Sequence, residues 1–363
     1  VGGLTIHSFA KLGLGTDSIE KILERINKDK KSQNRIIKTK ILAIDEISML
    51  SAKFFNLLNY IFQMVRKNNA PFGGVTLVLF GDFLQLPPVI KPGEDDDICL
   101  KCAAWREAEI ETVLLKANHR QKDDINFYNV LQNVRFGENL DEAFQSLKER
   151  VGIIPTNKAI KLVSHREQAN RINLMNIEKL SFQEKVFIGK FEGKEEYTRS
   201  YLPNFKEAMR LVFKKGARVM LNSNVKVDDG LCNGTIGNIV DFAPKTGYPV
   251  VLFEGIKFPV IVAPHDFIIE DPITSEVFFK FTQIPLQFAY ALTIHKSQGL
   301  TFDFVHTDIS RCFLEGQAYV SLSRAKNLDG LFLDPFNKNV LKASQRIVKY
   351  YKKLDELYYE KSA

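Results

Sequence analysis

The spacing of apolar residues changes character twice along the chain. Ile41-Leu42-Ala43-Ile44 is a short apolar run that ends at Asp45-Glu46, and Val75 to Phe80 is a second that ends at Gly81-Asp82. Short apolar runs closed by turn residues predict buried strands of a parallel sheet. Between them, Phe54, Leu57, Leu58, Ile61, Phe62 and Val65 recur at helical spacing, predicting a helix over 51–67 with one face in the core. Strand and helix patterns alternate to about residue 115, with Thr112 to Leu115 as a third apolar segment. That alternation predicts a parallel sheet covered by helices. From Gly216 to Phe281 the chain is rich in Val, Ile and Phe, punctuated by Asp228-Asp229-Gly230, Asn233-Gly234, Pro244-Lys245-Thr246-Gly247 and Glu254-Gly255. Short strands with close turns predict a small barrel-like β module. After Pro285 the α/β pattern returns, so the module reads as an insertion in a second α/β domain. From Val340 a helix is expected, apolar at Leu341, Ile347, Val348 and Tyr351.

Composition narrows the class. A chain of 363 residues holds two or three domains, and 45% hydrophobic with 26% charged residues fits a soluble globular protein. No apolar run approaches the ~18 residues of a membrane span, and the first residues do not resemble a secretory signal. The net charge of +7 fits a polyanionic partner without requiring one. Four cysteines in this length are no disulfide framework. Cys99 and Cys102 form a single Cys-x-x-Cys, and Cys232 and Cys312 stand alone, so incidental thiols are expected rather than a metal site. A reducing, intracellular compartment follows.

Chemistry concentrates where apolar runs stop. Ligands of parallel α/β sheets bind beyond the carboxyl ends of strands. Asp45 there can hold Mg²⁺, and Glu46 can accept a proton from an attacking water. The plainer reading is a strand that ends in two acids. Gly81-Asp82-Phe83-Leu84-Gln85-Leu86-Pro87-Pro88-Val89 follows the second run. Gln85 is a neutral donor suited to sensing a γ-phosphate, and Pro87 and Pro88 impose an extended exit. Asn118-His119-Arg120-Gln121 follows the third apolar segment. Thr293-Ile294-His295-Lys296-Ser297-Gln298-Gly299-Leu300-Thr301 packs a cation, hydroxyls, an amide and a glycine into a turn fit for phosphate contact. In Tyr319-Val320-Ser321-Leu322-Ser323-Arg324-Ala325, Arg324 is a candidate arginine finger. Taken singly, Lys296 or Arg324 reads as a solvated surface charge.

These strings, in this order, resemble the superfamily 1B helicases, and specifically the Pif1 family. Gly2-Gly3-Leu4-Thr5-Ile6-His7-Ser8-Phe9 resembles motif Ia, and Asp45-Glu46-Ile47-Ser48-Met49 resembles motif II. The Gly81–Val89 string resembles motif III, and His119-Arg120-Gln121 motif IV, with His119 where Phe is usual. Thr293–Thr301 resembles motif V, Tyr319–Ala325 motif VI, and Leu231-Cys232-Asn233-Gly234-Thr235-Ile236-Gly237 the family's SH3-like module. Residues 50–67 fall where the family has its signature helix, and the match spans residues 2 to about 332.

The resemblance implies an α/β fold of two RecA-like parallel-sheet domains with a small SH3-like β module in the second. Its boundaries would be 1–115 for domain 1A, with a basic 1B wedge at about 13–40, then 116–209 and 285–363 for domain 2A, and 210–284 for the 2B insertion. It implies an ATP-dependent DNA helicase that moves 5′→3′ on single-stranded DNA and unwinds duplex or forked DNA in replication, repair or recombination. The cofactors would be ATP and Mg²⁺, the chain a monomer off the membrane. Its compartment would be nucleus or mitochondrion in a eukaryote, cytoplasm in a bacterium or virus. Glu46, Gln85, Arg120 and Arg324 would be catalytic. Asp45, Gln85, Arg120, Gly299 and Arg324 would bind the cofactor, with Asp45 on Mg²⁺. Thr5, His7, Pro87, Pro88, Thr293, His295, Lys296 and Ser297 would grip DNA. The departure is that no Gly-x-x-x-x-Gly-Lys-Ser/Thr occurs in the chain, which begins at Val1. The family's P-loop precedes motif Ia, so a fragment with impaired ATPase activity is expected. The alternatives are a single-stranded-DNA-binding module without ATPase activity and the helicase part of a larger mobile-element or viral replication protein.

Overall fold

In the computed structural model the described residues are 5–12, 17–90, 96–193, 195–270 and 277–362. Gly2, Gly3 and Leu4 of the first motif, and residues 13–16 of the expected wedge, lie outside them. The chain opens with α1 (Ile6–Phe9), α2 (Ile19–Lys28) and α3 (Lys30–Lys38). Ser18 caps α2 and Asp29 caps α3, each side chain accepting from a backbone N–H of the first turn. The basic segment therefore folds as two short helices, anchored by buried Ile22, Ile26 and Ile36.

Next come β1 (Ile41–Ile44), α4 (Ala52–Arg66), β2 (Thr76–Leu79) and α5 (Ala103–Glu107). The Ser51 hydroxyl accepts from Phe54 N–H at 3.3 Å to start α4, and Lys67 ends it in the left-handed region at φ 52°. Phe55, Leu58, Phe62 and Val65 then fall on one buried face. β1 and β2 pair in parallel, from Ile41 against Thr76 to Ile44 against Leu79. Strands buried on both faces were expected, and the structure corrects this. Leu42 and Ile44 are buried, but Ile41 is 65% exposed, because described residues cover only one face of this two-stranded sheet. Thr112–Leu115 is likewise an irregular, exposed connector, with no strand beside it among the described residues.

The second α/β unit begins with α6 (Ile125–Phe136), α7 (Leu140–Lys148), β3 (Ile160–Val163) and α8 (Arg166–Glu178). A β-rich region follows: β4 (Lys185–Ile188), β5 (Lys190–Gly193), α9 (Glu195–Tyr201), β6 (Arg210–Phe213), β7 (Arg218–Leu221), β8 (Ile236–Phe242), β9 (Pro249–Phe253), β10 (Val260–Ile261), β11 (His265–Glu270), β12 (Val277–Gln283) and β13 (Leu286–Phe288). Five of these strands form an antiparallel sheet in the order β10-β9-β8-β7-β13, beside β11-β12-β5 and the β4–β6 pair. Gly237 permits the close β8–β9 approach, since a Cβ there would meet Leu252 O at 2.6 Å. This region starts at Lys185 and not near residue 210. β4 and β5 pair forward with β6 and β12, and their interleaved Lys and Glu hide the strand pattern.

The second unit then resumes with β14 (Ala291–Thr293), β15 (Val305–Thr307), α10 (Gln317–Leu322), β16 (Leu331–Leu333) and α11 (Gln345–Ser362). Its sheet runs β14-β3-β15-β16, all parallel, so β3 from before the β-rich region lies between strands from after it. Each of the three regions has its own core. Two apolar contacts help join the α/β units. Leu86, just past β2, is fully buried in the second unit's core, and α11 packs Ile347 and Val348 onto Leu84 and Ile98 of the first.

Candidate functional site

The site forms where β1 and β2 end against the second unit. Ile47 N–H donates to Phe80 O at 2.9 Å, locking the two strand exits together. Gly81 lies so close that a Cβ would sit 2.9 Å from Ile47 N. Between these contacts Glu46 adopts a left-handed backbone, φ 52° and ψ 45°, a conformation costing about 1–3 kcal/mol for a non-glycine residue. Its carboxylate crosses to the second unit, where the Gln298 amide donates to Oε2 at 2.7 Å. Asp45 is exposed beside it, accepting from Glu46 N–H at 2.8 Å.

Two guanidinium groups face this carboxylate. Arg120 donates to Ser323 O at 3.2 Å, and burial lowers its pKa against the opposing fields of Tyr319 and Glu46. Arg324 is 1% exposed and donates to Val320 O at 2.8 Å, Leu300 O at 3.2 Å and Ser323 Oγ at 2.8 Å. Burial and the Arg120 charge push its pKa down to about 10, so it stays cationic at neutral pH. Neither arginine has a carboxylate within ion-pair distance among the described residues. Arg120, with fewer donors committed, is the more available of the two.

The loop after β2 is fixed from three sides. Arg135 of α6 holds Asp82 through two hydrogen bonds, the Tyr351 hydroxyl of α11 donates to Asp82 Oδ1 at 3.2 Å, and Phe83 N–H donates to Tyr351 Oη at 3.2 Å. Gly316, ahead of α10, touches the backbone of Leu84 and Gln85, where a Cβ would come within 2.5 Å of both carbonyl oxygens. Gln85 is half-buried at this seam, Pro87 is half-buried and Pro88 is buried.

The turn after β14 is built by its own hydroxyls. Thr293 Oγ1 accepts from Lys296 N–H at 3.2 Å, and Ser297 Oγ donates to Ile294 O at 2.8 Å. Thr293 and Ser297 are thereby buried, Lys296 is exposed, and Gly299 makes the turn at φ 78° with open space around it. Burial lowers the pKa of His295. Thr5 opens α1, and the His7 ring packs on Phe54 at 4.4 Å, where partial burial lowers its pKa. These two lie on the first unit, apart from the turn after β14.

The fold thus brings Glu46, Arg120 and Arg324 together across the seam. Four participants are not among the candidate site residues named from the sequence. Gln298 was read only as part of a phosphate-binding turn, yet it meets Glu46 252 positions away. Gln121 donates to Ala325 O at 2.8 Å, holding the arginine-bearing strings side by side. Arg135 and Tyr351 carry no local signal, because their meaning lies in reaching Asp82. The cysteines are free thiols, with Cys99, Cys102 and Cys312 buried, and Cys102 Sγ accepts from Trp105 N–H to cap α5. No helix among the described residues is long and apolar enough to cross a membrane.

The model of the PIF1-like helicase family matches residues 1–144, and that of the DNA helicase Pif1 2B domain matches 196–242. The crystal structure of the Pif1 helicase from Candida albicans superposes with a TM-score of 0.84 at 34% identity, covering 97% of this chain and 85% of that one. This chain belongs to the Pif1-like helicase family. Its α/β units are the family's RecA-like domains, with the β module inserted in the second. The Danio rerio ATP-dependent DNA helicase PIF1 is 35% identical over 98% of this chain, which spans 55% of that protein's length. A Bacteroides Pif1 helicase in complex with ADP-AlF3 and ssDNA aligns with a TM-score of 0.67 at 26% identity, over 98% of this chain and 84% of that one.

Proposed function

We propose that the protein is an ATP-dependent DNA helicase that tracks single-stranded DNA 5′→3′ and opens duplex or forked DNA during replication, repair or recombination. The observation that carries this reading is the Gln298–Glu46 hydrogen bond at 2.7 Å, which joins the strand exit of one RecA-like domain to the turn after β14 of the other. The polarity is the one that the resemblance to the family implies, and the Bacteroides complex with ADP-AlF3 and ssDNA supports the reading of both ligands.

The residues at the seam fit a nucleotide phosphate. Arg120 and Arg324 are both desolvated cations, Arg324 is lowered further by the Arg120 charge, and Glu46 is the anion they share. Ser48 Oγ, Asn118 Nδ2 and Gln298 Oε1 are buried without hydrogen-bond partners among the described residues. Bound ATP with Mg²⁺ would supply a scissile phosphoanhydride and the free energy of its hydrolysis. Asp45 would hold the metal, Glu46 would take the proton of the attacking water, and Gln85 would orient at the γ-phosphate. Arg120, with Arg324 behind it, would balance charge developing on the phosphoryl oxygens, and Gly299 would let the backbone approach. Gln298 contacts Glu46 from the turn that carries Lys296, so closure of the seam would be felt at the DNA. Thr5, His7, Pro87, Thr293, His295, Lys296 and Ser297 would contact the strand, directly or by shaping these loops, and Pro88 would stiffen the strap between the domains.

Glu46→Gln should lower kcat for DNA-stimulated phosphate release by roughly 10²–10⁴-fold, the usual worth of a positioned base. Nucleotide binding should survive, because the amide keeps the shape of the carboxylate. A mutant within a few-fold of the parent would remove Glu46 from that role.

A further inference from the structure

Three loops leave the carboxyl edge of the second domain's sheet side by side. Ile294 N–H donates to Val163 O at 2.9 Å, tying the turn after β14 to the end of β3. Asp308 N–H donates to Leu162 O at 3.2 Å, tying the loop after β15 to the same strand. Underneath, the Ser164 hydroxyl and Cys312 thiol, both buried, approach to 3.8 Å and join the β3 and β15 loops. Above them lie His165 and Phe313, ring centroids 5.8 Å apart and planes within 10° of parallel. Both rings are exposed, Phe313 to 58%.

A lone exposed phenylalanine is ordinary. This one is aligned with a second ring at the sheet edge where parallel α/β domains take their ligands. Cations flank the pair. Lys296 in the adjacent turn and Arg311 in the Phe313 loop are exposed, with no ion pair among the described residues. Glu207 ties the two sides together, paired with Arg166 at 2.7 Å and within the field of Lys296. Flat exposed rings beside unpaired cations match what a single strand presents, a base face next to a phosphate.

We propose that His165 and Phe313 form a stacking platform for a base of single-stranded DNA, with Lys296 and Arg311 on the adjoining phosphates. This rests on the DNA-tracking reading above. Stacking accepts any base, so the platform would hold a moving strand without reading its sequence.

The test is a titration of thymidine oligonucleotides carrying one 2-aminopurine, its position varied, into the parent protein and into Phe313→Ala, Phe313→Leu and His165→Ala. The parent should quench the probe at particular positions of the label. Phe313→Ala should abolish that quenching and bind about five- to a hundredfold more weakly. The slope of log K against log salt should not change, since no phosphate contact is lost. Phe313→Leu keeps apolar bulk without a π-face and should behave like the alanine variant, with His165→Ala weakening the quench. Phe313 is exposed, so unchanged thermal melting is expected of these variants. Alanine variants within twofold of the parent, or a leucine variant that binds normally, would overturn the platform and leave the helicase reading intact. No binding by the parent itself would remove that reading and the platform with it.

Discussion

Arg135 on α6 grips Asp82 at the exit of β2 in a two-pronged ion pair, Nε to Oδ2 and Nη2 to Oδ1, both at 3.0 Å. The side chains are only 18% and 16% exposed. Burial opposes the charge on Arg135, but Asp82 outweighs it and raises the arginine pKa. The pair joins the two RecA-like domains directly behind Gln85, and the Arg135 guanidinium also stacks on Tyr351 at 5.3 Å. Arg135→Ala would leave Asp82 as an uncompensated, largely buried anion, which costs about 3–5 kcal/mol. Arg135→Lys should recover only part of this, because an ammonium cannot engage both oxygens in a fork. Urea unfolding checks both. An alanine variant within about 0.5 kcal/mol of the parent would show that the seam does not depend on this pair.

A second prediction concerns acid stability. Asp334, beyond β16, accepts from Lys161 Nζ at 2.7 Å and meets His306 Nε2 at 2.8 Å, linking three neighbouring strands of the second domain. Burial raises its pKa, but the hydrogen bonds and charges of Lys161 and His306 outweigh this and leave it below the ordinary 3.8. A carboxyl whose folded-state pKa is depressed adds stability above its unfolded-state pKa and loses it as pH falls through the folded one. Asp334→Asn should therefore be less stable than the parent at neutral pH, and the gap should close below about pH 3.8. Unfolding curves at neutral pH and at about pH 3 test the sign. A gap that widens on acidification would rule the account out.

The motif order carried the fold class, since each string falls where a strand or helix must end. Asp45-Glu46 and Gly81-Asp82 are local punctuation, and the structure puts both at the ends of β1 and β2. What stayed hidden was non-local. Nothing near Arg135 or Tyr351 says that they converge on Asp82, and nothing near Gln298 says that it reaches Glu46. The start of the β module was misread because Lys185, Lys190 and Glu192 mask strands that exist only through their partners β6 and β12. The exposed outer positions of β1 were misread for the opposite reason. Apolar side chains signal a strand, but the sequence does not say whether both faces are covered.

The last prediction separates phosphate contact from stacking on the same surface. Lys296 is exposed, its backbone is held by Thr293 Oγ1 at 3.2 Å, and its charge lowers the pKa of Glu207 after the larger contributions of Arg166 and Asn170. The turn therefore presents a fixed cation whose neighbouring acid is already engaged by Arg166 at 2.7 Å. A lysine that neutralises one DNA phosphate releases a condensed counterion, so log K on a single strand falls by about 0.7 per unit of log salt for that contact. Lys296→Ala should weaken single-stranded DNA binding for every sequence alike and flatten the salt slope by about that amount. Glu207→Gln should do the reverse in weaker form, tightening binding at low salt by removing a negative field within reach of Lys296, an effect that salt screens away. Phe313→Ala, by contrast, should lower affinity with the slope intact. The three variants thus give three different pairs of affinity and slope in one fluorescence titration series. If Lys296→Ala leaves both quantities unchanged, Lys296 is a solvated surface charge and the turn after β14 does not hold the DNA backbone.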